Sequence, residues 1–292
     1  MVAYLYDAFE AVDWTRWVLL MLVYSCFYLL VDTAVLWRVV NWFNARVRYR
    51  ELLPVRASAY ILSILNEQVG KGAIALYLNR KSGVPAWEIG SSMLFIMVCE
   101  LFYLMFWATV GLVLFGSKLP PELAVFRAVP WVAAVAFALG GAGIWAFRSP
   151  RFAEAAWRNR PVLRAFREAR PWQYAAVMLL RSPSLLAAVA VYAAAANLFG
   201  VRIGFFEMLS YLPLVIFGTL VPGPFRAVAV TMWPTLFPEH AAAMTIFGFV
   251  QHNCFVLFNA AIGLLFLRHT NRALFDTAGE GAKAPRAPAG RL

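Results

Sequence analysis

The sequence predicts an all-α polytopic membrane protein with five full spans and two re-entrant helical hairpins in an inverted-topology repeat. Three observations carry that prediction. The 292 residues are 62% hydrophobic and 14% charged, with a mean hydropathy of +0.68, whereas soluble chains run nearer half apolar and a quarter charged. The arginines gather in a few stretches between apolar runs. Two of the apolar runs are broken at their middle into arms about half a span long.

The first span is Trp17 to Trp37, bracketed by Trp14 and Trp17 at one interface and Trp37 and Trp42 at the other. Asp32 lies within it, toward the second interface. Asp7, Glu10 and Asp13 precede it in place of a basic leader, so it is expected to be retained rather than cleaved. The loop that follows carries Arg38, Arg46, Arg48, Arg50 and Arg56 against Glu51. This end of the span is therefore expected in the cytoplasm and the N-terminus outside.

The next apolar segment, about 57–81, is interrupted by Asn66-Glu67-Gln68-Val69-Gly70-Lys71-Gly72 and closes at Gly83-Val84-Pro85. Ile89 to Phe115 is a full span with Glu100 about 11 residues in, roughly 16 Å deep at helical rise. Val129 to Phe147 is another. The segment 148–170 then holds seven arginines and two glutamates, with Phe152, Ala156, Leu163 and Phe166 near helical spacing. It reads as a basic amphipathic helix or helix pair on anionic inner-leaflet lipid, or alternatively as a solvated loop. Tyr174 to Leu198 is the fourth span and carries Arg181 in its first half.

The segment 205–237 is broken by Pro222-Gly223-Pro224, with Arg226 directly after. Two prolines flanking a glycine cannot continue a straight helix. The turn that restarts after them has free N–H groups and a cation, a place for an anion. The plainer alternative is a proline kink in one long helix. Ala241 to Leu267 is the last span, with Gln251, His252, Asn253 and Asn259 inside it. Residues 1–277 thus form one transmembrane domain, and 278–292 read as a disordered basic tail.

Loop charge sets the topology. If all seven apolar segments crossed, the arginine-rich 148–170 would lie outside, against the positive-inside bias. If 57–81 enters from and returns to the cytoplasm, and 205–237 does the same from outside, every basic loop and the C-terminus fall inside. Span, inner hairpin, span is then followed, after a connecting helix, by span, outer hairpin, span in the opposite orientation. The net charge of +11 follows from these loops, and it points to lipid headgroups rather than nucleic acid. Cys26, Cys99 and Cys254 have no metal spacing and read as small buried apolar residues.

Asn66, Gly70-Lys71-Gly72, Leu78-Asn79-Arg80-Lys81-Ser82-Gly83-Val84 and Glu100 resemble, in that order, the first signature of the lysylphosphatidylglycerol synthase transmembrane (flippase-like) family. Phe206-Glu207, Pro222-Gly223-Pro224 and Arg226 are similar to its second, Pro-Gly-rich signature. Two positions depart from the family pattern. Ala73 stands where a Glu usually follows the first turn, and Ala227 follows Arg226 where an Arg-Glu pair is common. The resemblance implies a stand-alone domain without the aminoacyl-transferase unit, in a bacterial cytoplasmic membrane, that moves a phospholipid or glycolipid headgroup between leaflets.

On that reading Lys71, Arg181 and Arg226 hold a lipid phosphate, and Glu100, Asn66, Gly70, Gly72, Pro222 and Gly223 complete the substrate-binding set. Glu100 and Asp32 neutralise these cations, or Glu100 forms a structural ion pair with Lys71 or Arg181. An ionisable residue inside a membrane is costly enough to be a functional candidate. No cofactor is implied, and a homo-oligomer is left open. A membrane-embedded lipid-modifying enzyme and a non-transporting accessory protein are the alternatives. Against the enzyme, the three histidines are scattered and no paired-carboxylate metal motif occurs. Gln251 and His252 read as a helix–helix hydrogen-bonding node.

Overall fold

In hydrocarbon every backbone N–H and C=O must be paired within its own segment, and helix is the form that a chain this apolar takes. A computed structural model of the protein describes residues 9–10, 12–64, 67–116, 121–220 and 227–281. Among these, all regular structure is helical and there is no strand. Ten α-helices succeed one another among the described residues from Trp14 onward: α1 Trp14–Phe43, α2 Tyr49–Ser63, α3 Glu67–Ser82, α4 Ala86–Phe115, α5 Val129–Arg148, α6 Arg164–Glu168, α7 Pro171–Leu198, α8 Phe205–Leu220, α9 Ala227–Leu236 and α10 Ala241–Gly281.

Five stretches are long and apolar enough to cross a membrane: Trp14–Phe43, Ala86–Leu114, Ala124–Arg148, Pro171–Leu198 and Pro238–Arg268. These are the five spans that hydropathy predicts. Their ends follow local chemistry. Asp13 caps α1 by accepting from the Arg16 amide at 3.1 Å. α3 stops at Gly83, whose φ of +69° a side chain would resist, and Pro85 caps the start of α4.

Ring contacts define the two ends of the bundle. At one end Trp42 meets Trp172 at 5.3 Å and Phe166 meets Phe95 at 5.6 Å. At the other, Phe199 lies 6.0 Å from Trp14 and 5.5 Å from Phe247. The long helices α1, α4, α7 and α10 therefore run between the same two ends.

The shorter helices come in two antiparallel pairs. Lys81 in the last turn of α3 donates to Glu51 in the first turn of α2 at 2.9 Å, so the outer ends of this pair sit together. Near its other end, Gly70 packs against the Ala59 carbonyl and Ser63, where a Cβ would not fit. Along α10, Gly263 presses against the Ala57 carbonyl in the same way, and Ser58 shares a 2.9 Å hydrogen bond with Thr270. In the second pair, Tyr211 of α8 meets Phe237, just past α9, at 5.5 Å. α8 lies on α4 so closely that a Cβ at Gly111 would stand 2.5 Å from the Leu209 carbonyl oxygen.

Several expectations change. α2 begins at Tyr49, so the first pair spans 49–82 rather than 57–81, and Arg56 belongs to a helix instead of the loop. The segment 148–170 is not an amphipathic helix or helix pair. It folds as two 3-10 turns, Pro150–Phe152 and Pro161–Leu163, and the five-residue α6. Pro161 holds Arg160 extended at ψ 132°, which stops any helix there. The segment is nonetheless packed, with Ala165 buried and Arg164 paired with Glu88. α10 continues to Gly281, four residues into the stretch assigned to the tail. Cys26 is exposed on the helical surface and Cys254 is half-buried, so only Cys99 is the buried residue expected of all three.

Candidate site: a buried ion cluster at mid-bundle

Asp32 sits on α1, Glu100 on α4 and Arg181 on α7, each well inside its helix. Arg56 and Tyr60, one helical turn apart on α2, and Lys71, near the start of α3, face the same point. Asp32 accepts hydrogen bonds from Arg56 through Nε, from Arg181 and from the Tyr60 hydroxyl, the last at 2.6 Å. Glu100 pairs with Arg181 at 2.9 Å and with Lys71 at 3.3 Å. Arg181 also donates to the Tyr28 hydroxyl at 2.9 Å. Its guanidinium lies 5.1 Å over the Tyr28 ring, and that of Arg56 lies 4.8 Å over Tyr60.

Asp32, Arg56 and Arg181 are each only 5% exposed. Removing such charges from water costs several kcal/mol per ion, and attraction returns that only with good geometry. A well-packed apolar cluster of the same volume would be at least as stable. The arrangement is therefore weak evidence for a stability device and stronger evidence for a site.

Two cavities flank the cluster. The first is lined by Asp32, Arg56, Lys71 and Glu100 over Val35, Ile74 and Met93. The second is bounded by Tyr28, Arg56, Tyr60, Ser63, Phe255 and Asn259. Arg56 lines both. The wall of the first cavity balances two cations against two carboxylates, each cation paired with one of them.

Of the residues singled out by sequence, Lys71, Glu100 and Arg181 come together here. Gly70 forms the close approach of α2 and α3, and a Cβ at Gly72 would meet open space. Asn66, Pro222, Gly223 and Arg226 lie outside the described residues. Asp32 is buried in the cluster.

Arg56 and Tyr60 are the members that sequence reasoning missed. The signal available was the buried acid itself, since Asp32 within a span needs a cation, together with the four-residue spacing that puts Arg56 and Tyr60 on one helix face. The polar spot on α10 is a node between helices, as its composition suggests. Gln251 accepts from the Trp17 indole at 3.0 Å, and His252 accepts from that of Trp233 at 2.9 Å. Among the described residues, no group of three or more His, Cys, Asp or Glu is arranged to hold a metal ion.

No protein-family model, curated protein or solved structure matches the chain.

Proposed function

We propose that this protein moves the polar headgroup of a membrane phospholipid or glycolipid between leaflets, as the resemblance to the lysylphosphatidylglycerol synthase transmembrane family implies. The observation that carries the reading is the buried ion cluster with two cavities against it. A headgroup crossing the apolar core needs polar partners there, while its tails stay in lipid. Half-span helices converging near the midplane are the transporter solution to the same problem.

In this proposal α2–α3 is a re-entrant hairpin entered from the cytoplasm and α8–α9 is one entered from outside. The two halves form an inverted repeat in a bacterial inner membrane, with the N-terminus outside and the C-terminus inside. The Lys81–Glu51 pair supports it by drawing the outer ends of α2 and α3 together, and the Tyr211–Phe237 contact by setting the end of α9 against the first half of α8. Cysteine-accessibility labelling checks the topology. A thiol placed at the exposed Ser82 should react from the cytoplasmic side, and one at the exposed Glu239 from outside. Reaction of the first from outside would remove the inner hairpin.

The arginines of 148–170 belong on the anionic inner leaflet. Reversal of Arg158, Arg160 and Arg167 to glutamate should weaken binding of the purified protein to anionic nanodiscs, and unchanged binding would reduce the segment to a solvated connection.

The function itself is tested by headgroup accessibility. Proteoliposomes carrying a headgroup-labelled lipid should expose their inner-leaflet label to an external quencher much faster than protein-free vesicles do. Equal rates in both would defeat the proposal.

A further inference from the structure

Contacts of the first half of the chain recur in the second with the partners exchanged. Gly111 of α4 lies on the Leu209 carbonyl of α8, and Gly263 of α10 lies on the Ala57 carbonyl of α2. The same number of residues separates Gly111 from Gly263 as separates Ala57 from Leu209. In that register Phe95 on α4 answers to Phe247 on α10. Phe95 meets Phe43, at the end of α1, edge-on at 5.2 Å, and Phe247 meets Phe199, just past α7, edge-on at 5.5 Å. The end of α1 also meets the start of α7 through Trp42 and Trp172, and the end of α7 meets the start of α1 through Phe199 and Trp14.

What the two halves enclose differs. The first cavity runs from Asp32 and Glu100 along Val35 and Leu36 of α1 and Ile96 and Met93 of α4, toward the Phe43–Phe95 contact. In the same register Glu100 answers to His252 and Ile96 to Gly248, and Tyr192 is spaced from Phe199 as Leu36 is from Phe43. That corresponding place is filled. Trp233 of α9 lies on the bare face of Gly248, where a Cβ would stand 2.6 Å from the indole ring. Its N–H donates to His252 Nε2 at 2.9 Å, and its ring lies 4.9 Å from Phe247 and 6.0 Å from Tyr192. Trp233 and Phe247 are fully buried. The residue of α3 in register with Trp233 is Lys81, which stands at the outer end of its helix with Glu51 and leaves the first cavity clear.

We propose that this arrangement is one of two exchanged states, and that Trp233 is the plug of the closed half. In the other state Trp233 leaves Gly248 and His252, and a cavity opens between α7, α9 and α10 toward the Phe199–Phe247 contact. The first cavity closes in the same step as α3 packs down on α4. Rocking of one repeat against the other about a fixed site is how transporters alternate their access. The plug is held by one hydrogen bond and by ring faces, contacts that a side chain exchanges without breaking a helix. The proposal rests on the headgroup-translocation reading and deepens it, because it names how the ion cluster is reached from the second face.

The test reads both places at once. In protein whose Cys26, Cys99 and Cys254 are replaced by alanine, single thiols are introduced by Met93→Cys, in the first cavity, or by Met244→Cys, buried one turn from Gly248. Their rates of reaction with a water-soluble maleimide are measured in detergent-purified protein. Met93→Cys should react the faster of the two. Adding Trp233→Ala should raise the Met244→Cys rate and lower the Met93→Cys rate, each by about tenfold, the order set by one buried hydrogen bond and its aromatic contacts. Gly248→Ala, whose methyl group would press into the Trp233 ring, should do the same where loss of the indole impairs folding.

A rise at Met244→Cys without a fall at Met93→Cys means only a hole where the indole was, and it overturns the proposal while headgroup translocation stands. Unchanged rates at both positions in both variants overturn it likewise. Reciprocal rates in a protein whose wild type speeds no headgroup exchange in vesicles would uphold the two states and bring down the translocation reading alone.

Discussion

Replacing Asp32 with alanine is expected to cost the fold about 3–5 kcal/mol, the range for removing one partner of a buried ion pair. Asp32 serves Arg56, Arg181 and Tyr60 at once. Its loss leaves Arg181 with Glu100, but it takes from Arg56 the carboxylate with which it pairs. A guanidinium stranded in the buried cluster cannot deprotonate its way out. In a detergent-solubilised thermal melt the midpoint should fall by on the order of 10 °C. The control is Asp32→Ala combined with Arg56→Met, which removes both charges at once and should recover most of the loss. A midpoint for Asp32→Ala indistinguishable from wild type would mean that water reaches the cluster freely.

The second large effect falls on transport. Arg226→Ala should abolish headgroup translocation in proteoliposomes while leaving expression and melting temperature nearly unchanged. The residue follows the Pro222-Gly223-Pro224 break, so by sequence it occupies the first turn of a restarting helix, where free amides favour an anion. Arg226→Lys should restore part of the activity, because lysine keeps the charge and loses the bidentate fork. The rival reading gives Arg226 the carboxylate of Glu100 as its partner. Glu100 already pairs with Lys71 and Arg181, so removing Arg226 would not strand it. Glu100→Gln is accordingly not expected to rescue Arg226→Ala. Full recovery of translocation in that double variant would defeat the phosphate role of Arg226.

The five long helices were legible in the sequence because a bilayer fixes their length and excludes polar residues over that length. Antiparallel pairing of the short helices was legible for a related reason: Asn66 to Gly72 marks an interruption that no straight span tolerates. Arg56 was not. An arginine directly before an apolar segment is counted by composition as a loop charge, and only the helix start at Tyr49 turns it inward toward Asp32. The segment 148–170 misled in the opposite direction. Its apolar residues recur at helical spacing, but Pro150 and Pro161 stop the backbone before the spacing can be used. Gly70 carries a similar lesson: as part of a signature it reads as a hairpin tip, and in the fold it is where α3 meets the Ala59 carbonyl.

The stretch that contains α5 is the least buried of the five long ones. Only 6% of its span is buried, and Trp131, Val135 and Leu139 face outward. It adds little to the ion cluster through contact. On the proposed topology its contribution is one of parity. The first half of the chain finishes on the outer face, so a second half joined to it directly would repeat the first in the same orientation. A single additional crossing delivers α7 to the inner face and thereby reverses everything that follows. The composition of α5 is then nearly free to drift so long as it stays apolar, whereas its number, one crossing rather than none or two, is fixed by the symmetry of the whole.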